Sequence, residues 1–323
     1  MNLTCFKILG PDQQTAGGIG QGGGLYWQEA VGRMLQQEIA KIMDVPLEEC
    51  PRAHGKDSYD RTDFFCPTGP FEIVYLQLFE CPVQRPDGWI YTLISDYIGL
   101  EELLEEFLDR VRPNVVISLQ YPLDPPPQIT TVPHISVPNL MQQCAKYDVP
   151  VVYLPWFNAI DVGVYRPDKN VQAMCTGKMS GTYPFRDAAY KYLENWNRPG
   201  IILSGNPTGS TFRLSDEEYH EALARCKYYI SGGIYDLQIP PKYYEVCNYG
   251  ACLVSPEMPM MEASGFVDGE TYIKVESVDD LPRLIGSDRW KEVAPKGQEM
   301  VRKRHSLHAR AQDIVNLYRK MVG

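Results

Sequence analysis

Lys242 and Glu245 stand three positions apart, directly behind Pro240-Pro241. Proline suits the first turn of a helix, where its missing N–H is not needed. Lys242 to Asn248 therefore reads as one or two helical turns, closed by Gly250 in a left-handed cap. Free N–H groups and the dipole at a helix start favour anions. A lysine there adds a full positive charge, and a glutamate one turn on adds an acceptor. A second ligand cradle is the run Gly17, Gly18, Gly20, Gly22, Gly23 and Gly24, because glycine lets a ligand approach the backbone. Its spacing fits neither a P-loop, since no Gly-Lys-Ser/Thr follows, nor a dinucleotide fingerprint; a surface loop is the rival reading. His305 and His308 could share one helix face as ligands, but two histidines alone are a poor metal signature. A solvated face, and no metal site, is the expectation.

The elements that must position these residues alternate. In the first half, Cys5 to Leu9, Phe71 to Phe79, Val115 to Leu119 and Val149 to Tyr153 read as strands. Leu25 to Met43, Leu100 to Val111 and Val137 to Tyr147 read as helices with apolar stripes. Trp156 to Lys169 lacks periodicity, carries Gly163 and Pro167, and is the best boundary. In the second half the predicted strands are Val171 to Cys175, Gly200 to Ser204, Tyr228 to Ser231 and Ala251 to Ser255. Asp187 to Trp196 and Asp216 to Lys227 are predicted helices, the latter opened by Ser215 with Glu218 three residues on, a capping box. Thr176 to Gly181 reads as a turn, and Glu276 to Ile285 as a strand edge with a short helix. Gly297 to Val322 reads as one long helix with Leu307, Ala311, Ile314, Val315 and Tyr318 on its apolar stripe. Such alternation predicts doubly wound α/β layers.

Composition bounds the function. The 323 residues allow one large domain or two ordinary ones, and 44% hydrophobic content supplies real cores. A net charge of −10 argues against a long nucleic-acid footprint. Nine scattered cysteines without a C-x-x-C pair argue against a disulfide framework or a zinc ribbon, and suggest a reducing compartment. Met1 to Leu9 reads as a strand and not as a signal peptide. No run of about 20 apolar residues could span a membrane. A cytoplasmic location is the expectation.

Three blocks then fall in order: Pro241-Lys242-Tyr243-Tyr244-Glu245, Tyr249-Gly250-Ala251-Cys252-Leu253-Val254, and Gly265-Phe266-Val267-Asp268-Gly269-Glu270-Thr271-Tyr272. This pattern resembles the C-terminal half of GT-B glycosyltransferases, in the subgroup of bacterial group 1 and spore-maturation-type proteins. The resemblance covers about Val171 to Tyr318; the first half matches only in layout. It implies two Rossmann-like doubly wound domains facing a central cleft: residues 1–163 on the acceptor side, 164–304 binding the donor, and a helix over 305–323 packing back on the first domain. The activity implied is sugar transfer from a nucleotide-diphosphate sugar, UDP- or GDP-linked, with retention at the sugar and without a metal or other cofactor. The absence of a D-x-D triplet agrees with the last point. The acceptor stays open among small molecules, glycans, proteins and nucleic-acid bases. A catalytically silent nucleotide-sugar binding or scaffold protein, and a DNA- or protein-modifying glycosyltransferase, are the alternatives.

The resemblance also assigns roles. Lys178 in the Gly177 turn, Arg186 and Lys242 are candidate counterions for the diphosphate. Asn206 could meet base or phosphate, with an Asx turn as its rival. Glu245 corresponds to the glutamate that accepts from the donor ribose, and Tyr243 lies between it and Lys242. Gly20, Gly22, Gly23 and Gly24 would face the cleft. Asp96 and His134, near strand ends, are candidate bases for an acceptor hydroxyl. A salt bridge or a structural role is the rival for each charged residue. The pattern is broken twice: Leu237, beside Asp236, stands eight positions before Glu245 where retaining relatives carry a second glutamate, and Lys242 replaces an arginine fork by a point donor.

Overall fold

Short runs of valine, isoleucine and leucine bounded by glycine and proline suit strands buried on both faces, and parallel sheets are built from such strands. A computed structural model of the chain describes residues 3–5, 34–35, 37–44, 47–49, 71–74, 90–95, 115–118, 137–158, 165–179, 181, 183–206, 214–233 and 235–322. Every pairing between its strands is parallel. The chain divides into two compact units, Met1–Pro155 with Leu307–Gly323, and Trp156–Ser306.

The first unit holds β1 (Leu3–Cys5), β2 (Leu47–Glu49), β3 (Phe71–Val74), β4 (Ile90–Ser95), β5 (Val115–Ser118) and β6 (Val151–Tyr153). Their order is β2-β1-β3-β4-β5-β6, so the winding reverses between β1 and β3. Its described helices are α1 (34–35 and 37–43), α2 (Val137–Lys146) and α8 (Leu307–Val322). Two of its strands, β2 and β4, have no counterpart in the elements read from sequence. Asp96, His134 and the glycine run with Gly20, Gly22, Gly23 and Gly24 lie outside the described residues.

The second unit runs β7 (Val171–Lys178), α3 (Pro184–Trp196), β8 (Ile201–Asn206), α4 (Asp216–Ala224), β9 (Cys226–Ile230), α5 (Pro241–Asn248), β10 (Cys252–Ser255), β11 (Ile273–Lys274), α6 (Leu281–Ile285) and α7 (Trp290–Arg304). The order β11-β10-β9-β7-β8 reverses the winding between β7 and β9. Alternate strand residues face opposite layers. Ala173, Cys175, Tyr228, Ile230, Cys252 and Val254 join Ala189, Tyr190, Leu193, Trp290 and Val293 in one core. Met174, Tyr229 and Leu253, one position along, are equally buried. The five described cysteines are free and buried. Among the described residues no helix is long and apolar enough to cross a membrane.

Several local expectations change in the structure. β7 continues through Gly177 to Lys178 instead of turning at Thr176, because β8 reaches equally far and pairs Gly177 with Gly205 and Lys178 with Asn206. α3 starts at Pro184, so Arg186 sits in its first turn. The long C-terminal helix is two helices. α7 ends where the His305 N–H bonds to the Val301 carbonyl at 2.7 Å. The His305 ring then turns inward, with Nε2 2.7 Å from the Ser264 carbonyl and the ring packed on Tyr244. His305 is thus a buried residue at a helix break, not part of a solvated face. His308 does face solvent, with Nδ1 2.7 Å from Glu38 Oε1.

α7 packs closely on the loop before β11. A Cβ added at Gly297 would lie 2.7 Å from the Thr271 carbonyl oxygen. Gly297→Ala gains about 1 kcal/mol of helix propensity but must push a backbone oxygen aside, an overpacking cost of about 1–3 kcal/mol. A net loss of stability in urea denaturation is expected; a gain would mean the loop yields freely.

Candidate functional site

In an open parallel sheet, ligands collect beyond the carboxyl ends of the strands where the winding reverses. Here that point lies between β7 and β9. Thr176, Gly177 and Lys178 close one strand, and Ser231, Gly232 and Gly233 follow the other. α5 opens nearby, with extended Pro240 before it and Pro241 as its first residue.

Lys242 Nζ lies 2.5 Å from Glu245 Oε2 and 2.8 Å from the Tyr219 hydroxyl, which itself stands 3.3 Å from Glu245 Oε2. The ammonium also sits 4.5 Å from the centre of the Tyr219 ring, a cation–π distance. His220 approaches the other carboxylate oxygen at 3.7 Å and stacks on Tyr249. Burial alone would raise the Glu245 pKa, but the Lys242 ammonium and the His220 ring outweigh it and hold the carboxyl down at about 2. Lys242 moves the other way: burial opposes its charge, yet Glu245 raises its pKa above the usual lysine value. The pair is an ionised couple, with the glutamate side chain 20% and the lysine side chain 29% exposed.

Arg186 is nearly buried, 5% exposed. Its Nε and Nη2 donate to Ser231 Oγ at 3.3 and 3.1 Å, and Nη2 also to the Gly232 carbonyl at 3.3 Å. The Tyr183 ring covers the guanidinium, 4.0 Å from its centre. Nη1 points differently: a Cβ on Gly177 would meet it at 3.1 Å, and Gly177 is itself exposed with φ +110°. The missing side chain at Gly177 is therefore what leaves this N–H edge approachable. Among the described residues Arg186 has no carboxylate within 4.0 Å, although Asp236 feels its charge. Burial raises the Asp236 carboxyl above the ordinary range, against a hydrogen bond from the Phe185 backbone and the pull of Arg186.

Gly177 thus lies against Arg186, and Glu245 against Lys242, with the two cations within reach of each other's charge. The backbones of Lys178 and Asn206 pair at the ends of β7 and β8, while their side chains lie outside the described residues. Tyr243 is drawn away from any ligand: it is fully buried, edge-on to Phe266, with its hydroxyl on Ser255 Oγ. Sequence reasoning overlooked Thr176, Tyr219, His220, Tyr229 and Ser231. Tyr229 carried a faint signal, a hydroxyl in an apolar strand on the face opposite Tyr228. Among the described residues no group of histidines, cysteines and acids could hold a metal ion.

Residues 170–316 match the family model described as glycosyl transferase-like. No curated protein matches the chain. Among solved structures, a glycosyltransferase from Rickettsia africae ESF-5 is 9% identical, with 99% of this chain and 98% of that one covered at a TM-score of 0.52. Anabaena Alr3699/HepE, solved in complex with UDP and glucose, is 10% identical, with 99% of each chain covered, also at 0.52. The likeness to both is one of fold.

Proposed function

We propose that this chain, whose residues 170–316 match a glycosyl transferase-like family model and whose fold is similar to that of solved glycosyltransferases, is a glycosyltransferase whose donor is a nucleoside-diphosphate sugar held beyond β7 and β9. One observation carries this reading. The Arg186 N–H edge beneath Gly177 and the Lys242 ammonium feel each other's charge; Glu245 pairs with Lys242, while among the described residues no carboxylate lies within 4.0 Å of Arg186. Among the described residues Arg186 thereby stays a cation without a paired carboxylate at the winding reversal, where an anion is favoured.

Transfer makes the glycosidic oxygen leave with negative charge on the diphosphate, and donors already aimed at that charge lower the barrier. Arg186 and Lys242 supply them, so a metal ion is not required. Glu245 keeps its ionised oxygens for donor hydroxyls. That HepE was solved with UDP and glucose supports a UDP-linked donor, with GDP the other base to test. Retention at the sugar is part of the proposal, with Asp236, one position before Leu237 and within reach of the Arg186 charge, as the acid that would stand by the sugar.

The test is thermal stabilisation by UDP and by GDP, each with EDTA present. A ligand that binds only the folded form at about 100 times its Kd adds about 2.7 kcal/mol. A clear rise in Tm with one nucleotide is expected; no rise with either would overturn the donor reading.

A further inference from the structure

We infer that Ser231 is a positioning residue that turns the Arg186 guanidinium so that Nη1 is the nitrogen left for a phosphate of the donor, an inference that rests on the donor reading above. Ser231 follows β9 and has no exposed surface. Its backbone N–H donates to the Val254 carbonyl at 3.0 Å and carries the pairing with β10 past Ile230. The hydroxyl thus stands on a fixed strand end. A guanidinium only donates. Ser231 Oγ therefore accepts from Nε and from Nη2, and the Gly232 carbonyl accepts from Nη2 as well. The hydroxyl hydrogen of Ser231 is left for the same Gly232 carbonyl, 3.4 Å away. Nε and Nη2 are thereby engaged, and among the described residues Nη1 has no hydrogen-bond acceptor.

Both acceptors are neutral. A carboxylate in their place would orient the guanidinium equally well, but it would cancel the charge. A hydroxyl and a carbonyl leave the full positive charge for an incoming anion. The Tyr183 ring, 4.0 Å from the guanidinium carbon, adds a cation–π contact that likewise leaves the charge in place. A Cβ at Gly177 would come 3.1 Å from Nη1, so the exposed glycine is the opening through which a phosphate oxygen reaches that nitrogen. Without Ser231 the long arginine side chain would spread over several rotamers, and binding would have to order it. Ser231 acts through Arg186 and need not touch the ligand.

A double-mutant cycle is the test, read by calorimetry with whichever of UDP and GDP binds the wild type. Ser231→Ala deletes only the hydroxyl and is expected to weaken the nucleotide about tenfold, the scale of one lost hydrogen bond to a charged group. In an Arg186→Met background the same substitution is expected to change affinity by less than about twofold, because no guanidinium is left to turn. A serine with a merely structural role would weaken binding alike in both backgrounds. That result, or an unchanged affinity in Ser231→Ala itself, overturns the inference. Ser231→Cys, which keeps the side-chain shape and replaces the oxygen by a weak acceptor, runs the same cycle with the same two outcomes should Ser231→Ala not fold. A wild type that binds neither nucleotide, or an Arg186→Met variant that binds as tightly as wild type, overturns the donor reading itself.

Discussion

Glu245→Gln is expected to remove most of the chain's acid sensitivity that originates in the second unit, and to lower stability at neutral pH. The folded carboxyl titrates at about 2 against an ordinary value of 4.5. The folded state therefore keeps its carboxylate ionised where the unfolded chain would protonate it. The resulting stability is present in full above about pH 4.5 and is lost as pH falls toward 2. Each pH unit in that window is worth about 1.4 kcal/mol, so the whole effect is about 3 kcal/mol. Because the carboxylate is largely covered and its partner Lys242 is left without an anion, the variant pays this at pH 7 as well. Urea denaturation at pH 7, 4 and 3 gives the check: the difference between wild type and variant should shrink steadily on acidification. A difference that stays constant across the window would mean the ion pair does not couple to folding.

Arg186→Met is expected to abolish tight nucleotide binding while the unit stays folded. Methionine refills the volume beneath Gly177, and Ser231 Oγ still reaches the Gly232 carbonyl at 3.4 Å. What disappears is the fork that holds Ser231 on one side and faces the exposed Gly177 on the other. A hydrogen bond to a charged group is worth about 1.5–3 kcal/mol, so affinity should fall about 10- to 100-fold. Arg186→Lys should not restore it, since one ammonium cannot serve both sides. Calorimetry with UDP decides the matter: wild-type affinity in the methionine variant would remove Arg186 from the site.

Local signals made α5 readable. Two prolines open it, and Gly250, at φ +71°, closes it. Ser215 and Glu218 form the capping box their spacing announces. Misreadings arose wherever a distant partner decides. Gly177 looked like a turn, yet Gly205 carries the ladder past it. β2 consists of one leucine and two glutamates and has no apolar pattern of its own. The apolar stripe of α8 has no counter-signal at His305, because the break is made by Ser264 and Asn158, both remote in sequence. The site divides in the same way. Lys242 and Glu245 were legible because a helix start concentrates their chemistry within three residues. Tyr219 was not, for its partner lies 23 positions away and only the fold brings them together.

The second unit is one uninterrupted stretch, Trp156–Ser306, whereas the first is assembled from two, with α8 supplied after the other unit is complete. During synthesis the later-starting unit has all its residues once Ser306 has left the ribosome. The earlier one must wait for Ala311, Ile314 and Val315, which end up buried. The part of the chain made first is therefore the part that finishes folding last, and it is the stretch for which chaperones have the longest opportunity to bind.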